Sequence, residues 1–173
     1  MKNDRRRIIL KKIFHCFSHI TGSSMNDLYQ PATLQGILRR IESLNPQTPR
    51  LWGKMSVSQM LAHCSVGMEM ATGKKKFPRA FIGRLFGSFI KSSFLADKPF
   101  RKNGPTGKEF VIADMRDFAV EQSRLSKLVK EFSEGGETKC TSHPHSFFGS
   151  LTPKEWSILM YKHLDHHLQQ FGA

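Results

Sequence analysis

Apolar residues recur at three- and four-residue steps in four long windows of this chain, and Pro or Gly marks most of their ends. That period follows the 3.6-residue turn of an α-helix, not the two-residue alternation of a strand. Leu34, Ile37, Leu38, Ile41 and Leu44 form one stripe over 33–44, with Thr33 as the expected N-cap and Asn45-Pro46 as the stop. Ser56 and Gln59 make an S-x-x-Q capping box ahead of Val57, Met60, Leu61, Cys64 and Met68. A third stripe, Phe118, Leu125, Leu128, Val129 and Phe132, predicts a helix over 115–132 with Asp114 as its cap and Gly135-Gly136 as its end. The last start is the sharpest. Thr152, Pro153 and Glu155 combine a capping box with Pro at the first helical position. Strand-like alternation is confined to 109–113. The expected fold is all-α: an antiparallel four-helix bundle with one extra short helix in an insertion at 73–108.

The chain has 173 residues, which suits one domain with a core of its own. Apolar residues are 39% and charged residues 24%, a globular balance rather than a disordered one. No apolar run approaches the roughly 18 residues of a membrane-spanning helix. The three cysteines, Cys16, Cys64 and Cys140, cannot all pair within one chain and form no C-x-x-C. A disulfide scaffold is therefore not expected, and a reducing cytoplasm is the default location.

A net charge of +13 invites a nucleic-acid reading until it is located. Residues 1–24 hold six basic residues against one acidic, giving +5. Residues 73–108 hold ten against one, giving +9, and the remainder is near neutral. Residues 1–24 read as a basic extension, disordered or dispensable, with Met25 able to serve as a start. A basic amphipathic anchor for an anionic membrane is the alternative. Residues 25–173 are expected to form the single helical domain. The insertion carries Phe77, Phe81, Ile82, Leu85, Phe86, Phe89 and Ile90 among Lys and Arg, with Gly83 and Gly87 available for close packing. The expected arrangement buries the Phe face on the bundle and solvates the cations. The rival is a non-catalytic binding module whose basic segment docks on an acidic partner, nucleic acid or a membrane surface. No motif for sequence-specific nucleic-acid recognition supports the rival.

The chemistry concentrates in Lys162-His163-Leu164-Asp165-His166-His167. On a helix, His163 and His167 stand one above the other, a spacing that suits capture of a transition metal by two imidazoles. A third ligand must come from another helix, and His63 lies beside an apolar stripe. His63 alone reads more readily as a hydrogen-bonded core residue, and H-x-x-x-H without Glu is no zinc-protease motif. Three imidazoles aimed at one core are harder to explain as packing, because unmet buried polar groups cost a few kcal/mol.

Residues 52–63 (W-G-K-M-S-V-S-Q-M-L-A-H) and 143–171, with H-P-H-S-F-F-G-S-L-T-P-K-E-W and Y-K-H-L-D-H-H-L-Q-Q-F, resemble the DinB-like (DinB/YfiT-like) superfamily of metalloenzymes. The resemblance follows helix order over 28–172. It implies a divalent metal held by His63, His163 and His167, with a position open for water or a thiol. His166 departs from the pattern. An i, i+3 pair with His163 is an alternative chelate, and otherwise it takes a supporting or surface role. The resemblance further implies a transferase using a low-molecular-weight thiol cosubstrate, or a hydrolase, acting on a small-molecule substrate, with a homodimer as the assembly. Zn, Ni or Fe all suit imidazole ligands. His143 and His145 precede the last helix. His143 is a candidate acid/base or supporting group, and turn chemistry is the alternative. Cys64, one residue from His63, points away by a 100° step and reads as a core thiol.

Overall fold

The structure, a computed structural model, describes residues 26–173. The expectations for 1–24 and for Met25 lie outside these residues. Among the described residues five α-helices pack together: α1 (Pro31–Glu42), α2 (Val57–Ala71), α3 (Phe81–Leu95), α4 (Phe118–Gly135) and α5 (Pro153–Gln170). No strand occurs among the described residues; 109–113 lies in and after a short 3-10 turn, Lys108–Phe110.

Local chemistry sets where each helix starts. Ser56 Oγ accepts from the Gln59 backbone N–H at 3.2 Å while Gln59 Oε1 accepts from the Ser56 N–H at 3.0 Å. Thr152 and Glu155 repeat this reciprocal box at the head of α5. Two of the expected caps move. α1 starts with Pro31 at its first position and Gln30 at its cap, ahead of Thr33. Proline brings a preset φ and lacks the N–H that a first turn leaves unpaired. α4 is capped by Asp117, whose Oδ1 accepts from the Val120 N–H at 2.9 Å, while Asp114 pairs with Arg116 outside the helix.

α1, α2, α4 and α5 enclose the core, where Met60, Leu61, Leu125, Phe132, Trp156 and Leu164 are almost wholly buried. Each such apolar side chain contributes roughly 1.5–3 kcal/mol. Cys64 is buried among them and its Sγ lies 3.7 Å from Met60 Sδ, as a core thiol should. Burial raises its pKa, so it stays protonated.

The insertion departs from expectation twice. Its helix α3 is 15 residues long, longer than α1, so it is not short. It also lies on the bundle with its glycines inward and its phenylalanines outward. Gly83 and Gly87 are buried, and a Cβ would meet the Phe147 carbonyl oxygen at 2.5 Å from Gly83 and 2.0 Å from Gly87. Only a backbone without side chains approaches that closely. Lys91 pairs with Glu155 at 2.8 Å, which ties α3 to α5. Lys162 donates to the Phe94 and Ala96 carbonyls at the end of α3, as a cation at a helix C-terminus does.

Candidate metal centre

α2 and α5 bring three imidazoles together. His63 stands two turns into α2, and His163 and His167 stand one turn apart on α5. Their ring centroids form a near-equilateral triangle: 4.9 Å from His63 to His163, 4.6 Å from His63 to His167 and 4.8 Å from His163 to His167. One ring nitrogen of each lies within 4.8 Å of the other two. His63 and His167 are buried and His163 is half-buried.

Two rings have their tautomer set from outside the triangle. His63 Nδ1–H donates to the Phe110 carbonyl at 2.8 Å. His167 Nδ1–H donates to Gln170 Oε1 at 2.9 Å, and Gln170 Nε2 in turn donates to the Trp52 carbonyl at 2.8 Å. A carbonyl oxygen can only accept, so each Nδ1 carries the proton and each Nε2 keeps its lone pair. His63 Nε2 turns that lone pair towards His163 Nε2, 2.9 Å away. Outer hydrogen bonds of this kind orient imidazoles in metal sites and raise their basicity towards the ion.

Room for the third ring comes from Gly67, one turn after His63. A Cβ there would sit 3.2 Å from His163 Nδ1 and 3.3 Å from Cε1, tighter than ordinary contact. Burial lowers the pKa of all three imidazoles. For His63 the Phe110 hydrogen bond partly offsets it; for His163 the neighbouring histidines lower it further; His167 is pushed down to about 3. All three are neutral at physiological pH, which is the protonation state that ligates.

The other histidines among the described residues are not members of this triangle. His166 is half-buried beside Trp52 and Phe100, with its ring 5.0 Å from that of His167. It faces a cavity of about 390 Å³ between α5 and residues 97–102, also lined by Tyr161, Lys162 and Asp165. His143 is half-buried, its backbone N–H bonded to Thr141 Oγ1 at 3.0 Å, and among the described residues its ring joins none of the three. His145 is buried in the turn before α5. Its Nδ1 accepts from the Phe147 and Phe148 backbone N–H groups at 3.0 and 3.2 Å, so it serves the turn.

Sequence reasoning missed Gln170, Gly67 and the Phe110 carbonyl. Gln170 follows His167 by three residues and Gly67 follows His63 by four, so helical spacing held both signals. Nothing in the sequence connects a carbonyl at 110 with a ring at 63.

The fold and the triangle define an all-α protein with a clustered three-histidine site able to hold a metal ion. The chain belongs to a family described as "Protein of unknown function (DUF1569)", whose profile matches residues 23–173. No curated protein and no solved structure matches the chain.

Proposed function

We propose that the protein is a divalent-metal-dependent enzyme whose ion is held by His63, His163 and His167. The observation that carries this reading is the pair of Nδ1–H···O=C bonds, which leave the Nε2 atoms of His63 and His167 free of protons. A hydrogen bond from His163 Nε2–H would use the His63 lone pair alone, whereas a metal ion would use both. The resemblance of the helix order and histidine placement to DinB-like proteins supports the same assignment.

Three imidazoles leave at least one position open on a four-coordinate ion, which is the mark of a catalytic site. When bound, the metal supplies Lewis acidity that activates a water or a low-molecular-weight thiol near neutral pH. The protein's own residues do the rest. Phe110 and Gln170 hold two rings in orientation, and Gly67 admits the third. His163 is the one ligand of the three that is not fully buried. The 390 Å³ cavity behind His166 is of a size for a small-molecule substrate, within the range of ligand sites. His166 forms part of the wall between that cavity and His167. No contact supports an acid/base role for His143, and the proposal assigns it none.

Elemental mass spectrometry of untagged protein beside a His163→Ala variant tests the reading. About one equivalent of Zn, Ni or Fe in the wild type, lost in the variant, is expected. Thiol-transfer and hydrolase screens on the loaded protein then separate the two chemistries. No metal in either protein, even after reconstitution with Zn or Ni, would overturn the proposal.

A further inference from the structure

We propose that α3 docks the protein on an anionic membrane surface, lying in the plane of the lipid headgroups with its phenylalanines inserted. Five large apolar side chains on one face of α3 are open to solvent: Phe81 75%, Ile82 62%, Leu85 59%, Phe86 55% and Phe89 88% exposed. Taken together they expose on the order of 600 Å² of apolar surface, where a monomer's scattered hydrophobics make patches of a few hundred. This face cannot be an accident of which way the helix rolled. Turning the phenylalanines inward would turn Gly83 and Gly87 outward, and their contact with the Phe147 backbone admits nothing larger than hydrogen. The glycines fix the rotation, and the rotation presents the phenylalanines.

Charge selects the occupant. Residues 73–108 carry ten cations against Asp97, and five exposed ones flank α3 in the chain or lie on it: Lys75 and Lys76 before it, Arg84 on its flank, Lys98 and Arg101 after it. A second copy of this chain would bring the same positive sign to the same face. Residues 1–24, at +5, would do so too. An anionic bilayer offers an apolar interior for the rings and negative headgroups for the surrounding Lys and Arg, the combination that holds amphipathic helices at an interface. No described helix is long and apolar enough to cross a membrane, so α3 lies on the surface. This inference does not depend on the metal.

Vesicle flotation of the full chain tests it, with phosphatidylcholine vesicles beside vesicles containing about 30% phosphatidylserine. The wild type should float with the anionic vesicles and not with the neutral ones. Raising salt from about 0.1 to about 0.5 M should weaken binding. The Phe81→Ser/Phe86→Ser/Phe89→Ser variant should bind at least about tenfold less, since each lost ring removes inserted apolar area. Circular dichroism should show that variant folded, because all three side chains are exposed. Arg84→Glu/Lys76→Glu should weaken binding with the apolar face intact. Absence of wild-type flotation would overturn the proposal. So would binding that survives the triple variant, which would place the attachment in charge elsewhere. A wild-type dimer on gel filtration that the triple variant converts to monomer would give the face to a second copy, and would overturn it as well.

Discussion

His167 and Gln170 show how much a single residue decides at this site. Gln170 accepts the Nδ1 proton of His167 and hands its own amide to the Trp52 carbonyl. Gln170→Ala frees the ring to rotate and to change tautomer. Metal affinity should fall about 10–100-fold, measured by competition with a chromogenic chelator, as for other supporting groups around metal ligands. Unchanged affinity would remove Gln170 from the site. Gly67→Ala separates the site from the fold. Alanine raises helix propensity by about 1 kcal/mol, yet its Cβ must move the His163 ring by a few tenths of an ångström. Thermal stability should hold or rise while metal affinity drops about tenfold, because a ligand displaced by that much is badly aimed. Equal affinity in the two proteins would mean that His163 has slack, contrary to the contact distances.

At the scale of elements, the two capping boxes and the glycine face of α3 do different work. Thr152→Ala removes one half of the box that starts α5, the helix carrying two of the three histidines. A loss of about 1 kcal/mol is expected, read as a lower urea midpoint with an unchanged slope. Gly87→Ala attacks a contact between elements. Its Cβ has to push the Phe147 backbone away, an overpacking that costs roughly 1–3 kcal/mol. α3 should lift from the turn at 145–149, and trypsin should then cut at Arg84 and Lys91 faster than in the wild type. An unchanged cleavage rate would show that α3 is not held by its glycines. The capping boxes were legible as sequence because both partners lie within four residues. The seating of α3 was not. Its Phe stripe reads as a core face by every local rule, and only Phe147, sixty residues away in the chain, shows that the glycines occupy that role.

Over the whole molecule, three buried imidazoles and the half-buried His163 set a limit on acid stability. Burial lowers the pKa of His63, His163, His167 and His145, the last to about 4 with help from nearby Arg79 and His167 to about 3. An unfolded imidazole takes up its proton near 6.5. Between these values the unfolded chain binds more protons than the folded one, so stability is complete above about pH 6.5 and falls as pH drops towards 4 and 3. Melting of metal-free protein should therefore shift steadily lower below pH 6.5. His145→Asn, whose side-chain oxygen can still accept from the turn, should lessen the slope. A flat profile from pH 7 to 5 would contradict the burial of these rings. The pattern of apolar residues, caps and breakers determined the all-α class, the four core helices and the spacing of His163 with His167, because all of these rest on contacts within a few residues. His63 stood out as the candidate third ligand by its place beside an apolar stripe, a resemblance named the same set, and the packing of α2 on α5 brings the three rings together. Tertiary structure alone decided which carbonyls hold the rings, that Gly67 makes their space, and that α3 shows its phenylalanines to solvent. Each of those depends on which surfaces meet across long stretches of chain, and that follows from packing, which local periodicity does not encode.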